Sequence, residues 1–184
     1  MGDTMINKLN KFSAFSLAEV LITLVVIGVI AALVIPLGLH NNHKQEYEVS
    51  LKKAISKLNQ ALLLQYAIEG TRVSDYATAE EVIDNIFMKR MSVIKTTVNY
   101  TGWPAGKVFY TADGQKFCVY GAKGTCTPDG TEPCFSIYLD VNGEKRPNKY
   151  TDDTINPQDI YEATLYASRV LPIQAAEGLI YNSH

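Results

Sequence analysis

The chain has 184 residues, with 17 lysines and arginines against 19 aspartates and glutamates, and 47% of its residues are hydrophobic. This length suits one domain of ordinary size with an appendage. A net charge of -2 argues against nucleic-acid binding, because proteins that bind nucleic acid usually present a strongly basic face. The hydrophobic residues are concentrated in one uncharged run near the N-terminus. This run excludes a uniformly cytosolic globular protein, and the lack of a second one excludes a multi-span membrane protein.

The uncharged run covers residues 20–39 and contains 16 hydrophobic residues in 20 positions. A helix of this length spans about 30 Å, which is the thickness of the hydrocarbon core of a bilayer. A secretory signal peptide has a shorter apolar core, about 7–15 residues, followed by a small-residue cleavage site. This run is longer and ends without such a site, so the pattern predicts a retained membrane-spanning helix.

The charges that flank the run predict its orientation. Lys8 and Lys11 precede it, whereas His40, His43 and Lys44 follow it. Under the positive-inside rule the N-terminus lies in the cytoplasm and the C-terminal region is exported.

Three residues in or beside the run are unusual for a simple anchor. Glu19 places a carboxylate at the start of the apolar helix, where it either has a function or marks the headgroup level. Gly28 and Pro36 weaken a helix, since glycine has low helix propensity and proline lacks the backbone donor.

The stretch 11–22, KFSAFSLAEVLI, resembles the processing site of type IV pilins and type II secretion pseudopilins. That family has a short basic leader, a small residue before the cut, phenylalanine after it and glutamate as the fifth mature residue. Here these places are taken by Ala14, Phe15 and Glu19, with alanine where the family most often has glycine. Gly28 and Pro36 match the helix-weakening positions of the family, and the resemblance extends over residues 8 to about 69.

The resemblance implies a leader over 1–14, a transmembrane assembly helix over 15–39, its amphipathic continuation over 40–69 and an exported head over 70–184. It implies that a prepilin peptidase cuts after Ala14 and that Phe15 is N-methylated. The subunit would sit in the inner membrane with its head in the periplasm or outside the cell. It would join other pseudopilin subunits, as a homo- or hetero-filament, on an inner-membrane assembly platform, and Glu19 would neutralise the N-terminal amine of a neighbour.

Periodicity predicts that the helix continues beyond the membrane with one apolar face. The residues of this face are Tyr47, Leu51, Ala54, Ile55, Leu58, Ala61, Leu62 and Ile68. Gly70 is the expected helix stop. A second, short helix is predicted to start at Thr78, because Glu81 follows three residues later as in a capping box. Its apolar face is formed by Val82, Ile83, Ile86 and Phe87.

The rest of the chain is typical of β-structure. Asp113-Gly114 lies between two strand-like runs within 107–120 and predicts a hairpin. A further strand is predicted over 134–141, ending at the turn Asn142-Gly143, while 158–168 favours a helix. The predicted fold class is α+β, a pilin-like long helix packed on a small antiparallel sheet.

The three cysteines, Cys118, Cys126 and Cys134, are separated by equal spacings of eight. An exported domain meets an oxidising compartment, so the pattern predicts a disulfide. Cys126 with Cys134 across a turn-rich loop is the preferred pair, and Cys118 with Cys134 is the alternative. These spacings do not favour a zinc site, which uses closer pairs of ligands.

An oxygen-rich loop raises the question of calcium. Asp140 and Asn142, followed by Asp152 and Asp153, could supply oxygen ligands to Ca²⁺, and the resemblance to a major pseudopilin with a calcium loop points the same way. The order typical of an EF-hand is missing, however. The other interpretation is a solvated turn in which these side chains satisfy the local backbone.

The sequence contains no enzyme motif: it has no P-loop, nucleophile elbow or paired-histidine metalloprotease signature. Three functions remain. The first is a subunit of a type II secretion pseudopilus that drives protein export. The second is a minor pilin for adhesion, motility or DNA uptake. The third is a single-pass, signal-anchored domain whose exported head binds a ligand or catalyses a reaction.

Overall fold

The computed structural model describes residues 15–98, 102–103, 106–151 and 157–173 of the chain, with the side chains of 36–42 left out. The chain divides into two compact units, Met1–Leu39 and His40–His184. The predicted leader, including Lys8, Lys11 and Ala14, lies outside the described residues.

The first helix, α1 (Leu17–Glu69), has 53 residues. It ends at the predicted glycine: Gly70 has a φ of 70°, and its N–H donates to the carbonyl of Tyr66 at 3.0 Å. This left-handed conformation is the usual stop of a helix. The predicted end of α1 is therefore confirmed.

The predicted apolar face of α1 is confirmed from Tyr47 to Leu62, where every member is at least 92% buried. The prediction is wrong at Ile68, whose side chain is 63% exposed. The buried position in the last two turns is occupied by Gln65, which is 0% exposed. The helical stripe thus continues with the expected period, but a polar residue occupies it.

Burial of Gln65 is possible because its amide group is hydrogen-bonded. Its Nε2 donates to Thr71 Oγ1 at 2.8 Å and to Glu69 Oε2 at 3.0 Å. Its Oε1 accepts from Arg90 Nε at 2.9 Å. Gln65 therefore ties the end of α1 to the segment that follows and to the next helical region.

That next region contains α2 (Ala79–Val82), a π-helical turn (Ile83–Phe87) and α3 (Met88–Arg90), after a 3₁₀ turn at Val73–Asp75. The predicted capping box is present, since Glu81 N–H donates to Thr78 Oγ1 at 3.2 Å and Thr78 N–H donates to Glu81 Oε2 at 3.3 Å. The four apolar residues predicted for this helix are all fully buried.

In the described part of the chain, six antiparallel strands form one sheet whose order, β1-β2-β3-β4-β5-β6, follows the sequence. The strands are β1 (Val93–Val98), β2 (Gly106–Thr111), β3 (Lys116–Tyr120), β4 (Phe135–Asp140), β5 (Ile160–Leu165) and β6 (Val170–Pro172). The predicted hairpin joins β2 to β3, and Gly114 has a φ of 84° in its turn. Together with the helices, the sheet gives an α+β fold.

The predicted helix over 158–168 is wrong, because β5 occupies most of this range. Residues Ile160–Leu165 alternate between the two faces of the sheet, and Tyr161, Ala163 and Leu165 join the main core. Pairing with β4 over six positions outweighs the weak local preference for helix.

The second half of α1 packs on one face of the sheet through aromatic and aliphatic side chains such as Phe109, Phe117, Ile137 and Leu139. Polar contacts fix its position. Asn59 Oδ1 accepts from the N–H of Val170 at 2.8 Å, and Lys57 Nζ lies 2.5 Å from Asp113 Oδ2. Burial alone would raise the pKa of Asp113, but hydrogen bonds from Lys57 and Thr111 lower it below its ordinary value.

Two turns of the head approach each other closely at Gly143. It has a φ of 75°, and a Cβ on it would overlap the carbonyl oxygen of Gly114. Gly121 also has a positive φ, of 64°, but a Cβ there meets nothing within 4 Å among the described atoms. Substitutions at Gly143 and Gly121 therefore distinguish the cost of steric overlap from the cost of backbone strain.

We expect Gly143→Ala to lower the free energy of unfolding by about 3 kcal/mol or more, because backbone atoms must move apart. Gly121→Ala carries only the backbone cost of a left-handed residue, about 1–2 kcal/mol. Thermal and urea unfolding of the detergent-solubilised chain measures both. Equal losses for the two variants would contradict the close approach at Gly143.

Candidate assembly helix and processing site

The N-terminal part of α1 exposes its apolar side chains. The segment Leu17–Ile35 has a mean hydropathy of 2.8, and none of it is buried within the described structure. In length and composition it is suited to cross a membrane. Phe15, just before the helix, is 84% exposed. This surface needs a cover that the described chain does not supply.

Glu19 belongs to a capping box at the start of α1. The N–H and Oγ of Ser16 donate to Glu19 Oε2 at 2.9 and 3.0 Å, and the N–H of Glu19 donates back to Ser16 Oγ at 3.3 Å. Ser16 is therefore the N-cap and Glu19 the third helical residue. Sequence analysis missed this role, although a serine three residues before a glutamate at the start of an apolar run is its usual signal.

The capping box holds the carboxylate of Glu19 within one turn of Phe15. A negative charge in the first turn is favourable, because the free N–H groups give this end of a helix positive character. The same carboxylate lies on an exposed surface, where a cationic group of another molecule has access to it. The geometry thus suits both a helix cap and an acceptor for a charge from another molecule.

The structure also describes the other unusual positions of this helix, Thr23, Gly28 and Pro36. Thr23 satisfies its hydroxyl internally, by donating to the carbonyl of Val20 at 2.9 Å. A Cβ added to Gly28 would meet nothing within 4 Å among the described atoms, so contacts within the described chain do not require glycine there. The helical backbone continues through Pro36, and the division between the two units follows three residues later.

The residues considered for calcium have other contacts. Asp140 is 0% exposed, and its Oδ2 lies 2.9 Å from Lys116 Nζ. Burial raises the pKa of Asp140 to about 6, although Lys116 opposes this shift. Asn142 donates from Nδ2 to Tyr47 OH and to the carbonyl of Arg146, both at 3.2 Å.

The remaining two calcium candidates, Asp152 and Asp153, lie outside the described residues. Nearby, Asp159 accepts from the N–H groups of Asn148 and Lys149 at 2.8 and 2.5 Å. Within the described ranges, no group of three histidine, cysteine, aspartate or glutamate side chains is arranged to hold a metal ion. Asp140 thus forms an ion pair with Lys116, and Asp159 accepts hydrogen bonds from the backbone of Asn148 and Lys149.

The disulfide joins Cys126 and Cys134, which was the preferred of the two pairings, and its Cα atoms are 4.3 Å apart. Cys118 is fully buried on β3. Burial raises the pKa of its thiol to about 11, so this cysteine stays protonated at neutral pH and is a poor nucleophile.

Comparison of the chain with protein-family models, with curated proteins and with solved structures gave no match. In its described residues the chain is an α+β protein with an exposed apolar helix near the N-terminus and a disulfide in the unit that follows.

Proposed function

We propose that this chain is a prepilin-like structural subunit that is processed after Ala14 and assembled into a type II secretion pseudopilus. The observation that carries the proposal is the exposed apolar helix Leu17–Ile35 with Glu19 in its first turn. The resemblance of residues 11–22 to a prepilin processing site supplies the reaction that would precede assembly.

The apolar helix surface suits two successive environments. Before assembly, lipid covers it, since a membrane helix needs about 20 predominantly apolar residues and this segment is 19 residues long with a mean hydropathy of 2.8. In a filament, the same side chains pack against helices of other subunits. The head has its own core and disulfide, so it keeps its fold during this exchange.

Glu19 supplies a charge partner for assembly. Cleavage after Ala14 creates an amine on Phe15, four residues before Glu19. An amine and a carboxylate that are both removed from water cost several kcal/mol each unless they are paired. Pairing of Glu19 with the amine of a neighbouring subunit therefore favours association and sets the axial position of the two helices.

The mature N-terminus tests processing. Purification from membranes of the native host, followed by mass spectrometry and Edman degradation, should yield N-methylated Phe15 as the first residue. Ala14→Gly should be processed at least as completely, whereas Ala14→Leu should accumulate uncut, because the residue before the cut must be small. An intact N-terminus, or a cut after residue 39, would support a signal-anchored or secreted domain instead.

Secretion tests the second half of the proposal. Deletion of the gene should retain exported proteins in the periplasm and leave surface pili and twitching motility unchanged. Loss of pili with normal secretion would assign the subunit to a type IV pilus, and complementation with the full chain is the control.

A further inference from the structure

The face of the sheet opposite α1 carries an aromatic cluster that the proposed function does not use. Along β3 and β4, Phe117, Val119, Ile137 and Leu139 point into the core with α1. The alternate residues Tyr120 and Tyr138 therefore point to the other face. Trp103 and Tyr150 join them there, and these four residues are called the outer aromatic cluster.

Tyr138 is the centre of the outer aromatic cluster. Tyr120 stacks on it with ring centroids 4.9 Å apart, while Trp103 and Tyr150 meet it at 63° and 67°. Rings set at such angles form walls rather than a flat layer. Tyr150 remains 45% exposed, although a large aromatic ring usually gains from burial. The cluster thus presents shaped apolar surface to solvent.

Two cavities open beside this cluster and share Tyr150 and Ile160 in their linings. One, of about 210 Å³, also borders Tyr138, Gln158 and Glu162. The other, of about 220 Å³, also borders Trp103, Glu144 and Asn148. Both are smaller than the cavities of about 300–1,000 Å³ that hold drug-sized ligands. Each therefore suits one small ring, and their shared wall suits two linked rings.

The charged groups around the cavities already have partners within the chain. Lys116 Nζ pairs with Asp140 and lies 4.7 Å from the centre of the Trp103 ring. Glu162 accepts from Tyr120 OH at 2.6 Å, and Glu144 accepts from Tyr110 OH at 2.9 Å. The Lys116–Asp140 pair has no net charge, whereas Glu162 and Glu144 keep their negative charges, so a cationic ligand is the competitor that the experiment must distinguish from a neutral one. Each carboxylate still has further lone pairs that can accept hydroxyl groups.

We propose that the outer aromatic cluster binds a neutral pyranose sugar, with one sugar ring in each cavity when the ligand is a disaccharide or longer. The C–H face of a pyranose packs on an aromatic ring, and its hydroxyl groups need acceptors and donors at the edge. Tyr138 and Tyr150 supply the ring surface, and Glu162, Glu144 and Asn148 supply the polar edge. This inference is independent of filament assembly and gives the head a ligand of its own.

Tryptophan fluorescence provides the test, because Trp103 is the only tryptophan in the chain. The full chain is solubilised in a polyoxyethylene detergent, which has neither a sugar headgroup nor a cation. It is titrated with glucose, galactose, mannose and N-acetylglucosamine, each as a monosaccharide and as a disaccharide. We expect at least one sugar to give a saturable change with a Kd of about 1–10 mM, and its disaccharide to bind about tenfold more tightly.

Three variants and one competing ligand complete the experiment. Tyr150→Ala should weaken binding by about tenfold, Tyr150→Phe should retain it, and Tyr66→Ala, which removes a 50% exposed tyrosine on α1, should leave it unchanged. Tetramethylammonium is the cationic probe. Saturable binding of tetramethylammonium without sugar binding, or no response to any sugar at about 100 mM, would overturn the proposal. Equal sugar affinities in Tyr150→Ala and the unchanged chain would overturn it as well.

Discussion

Replacing Glu19 with glutamine is expected to leave the chain in the membrane and to reduce its entry into filaments by at least about tenfold. Glutamine can still take the third position of a capping box, so the start of α1 should form as before. Only the negative charge is lost, and in the proposed filament the amine on Phe15 of a neighbouring subunit would lack its partner. An unpaired buried charge costs about 3–5 kcal/mol. A tenfold change in the association constant corresponds to about 1.4 kcal/mol, so the expected loss is at least tenfold. Immunoblots of sheared filaments and of membrane fractions measure the two populations.

Two control variants separate assembly from capping. Ser16→Ala removes the capping hydroxyl but keeps the carboxylate, and it should lower helix stability by about 1 kcal/mol with normal assembly. Glu46→Gln removes an exposed carboxylate from the same helix and should have no effect. Normal co-assembly of Glu19→Gln with unchanged subunits, or an equal defect in Ser16→Ala, would reduce Glu19 to a helix cap.

The buried pair of Lys116 and Asp140 should have the largest effect on the stability of the head. Asp140→Ala removes the oxygen atoms that accept from the ammonium of Lys116 in either protonation state of the acid, and we expect the free energy of unfolding to fall by about 3–5 kcal/mol because the buried ammonium then has no acceptor there. The double variant Lys116→Met with Asp140→Leu should have a free energy of unfolding within about 1 kcal/mol of that of the unchanged chain, since an apolar pair avoids the cost of removing charges from water. Lys89→Ala, at the partly exposed pair with Glu69, should change it by less than about 1 kcal/mol. Urea unfolding followed by Trp103 fluorescence gives the values, and a double variant as unstable as Asp140→Ala would contradict this account.

The same pair predicts a pH dependence with a defined sign. Burial raises the pKa of Asp140 from its ordinary value of 3.8 to about 6, so the folded state favours the protonated acid. The resulting stabilisation is complete below about pH 4 and is lost as the pH rises through about 6. Relative to Asp140→Asn, the unchanged chain should lose about 2 kcal/mol of unfolding free energy between pH 4 and pH 7. Parallel pH profiles for the two proteins would contradict the raised pKa.

The main elements of the fold could be predicted because their signals are local. The capping pair Thr78 and Glu81, the turn at Asp113-Gly114 and the stop at Gly70 each act within a few residues. Two predictions failed where distant contacts decide the outcome. The side chain that fills the last buried position of α1 is Gln65, because Arg90 and Thr71 satisfy its amide. The range 158–168 contains a strand because β4 lies beside it.

In the candidate sites, too, local features could be predicted and contacts between distant residues could not. The spacing of Phe15 and Glu19 was visible in the sequence, and the capping role of Ser16 could have been found from its distance to Glu19. The partner of Asp140 could not, because Lys116 lies 24 residues away and becomes its neighbour only through the register of β3 and β4. The outer aromatic cluster likewise depends on which residues the sheet aligns on one face.

The order of the strands has a consequence for how the α+β unit folds as the chain is synthesised. Each strand of the sheet pairs with the strand that precedes it in the sequence. A chain synthesised from the N-terminus can therefore add strands to the sheet one at a time. Short separations between partners favour rapid folding. The last contact is different, because Val170 on β6 bonds to Asn59 on α1, 111 residues earlier. A chain synthesised only as far as β5 lacks this contact, so the packing of α1 on the sheet is completed only when nearly all of the described chain has been made.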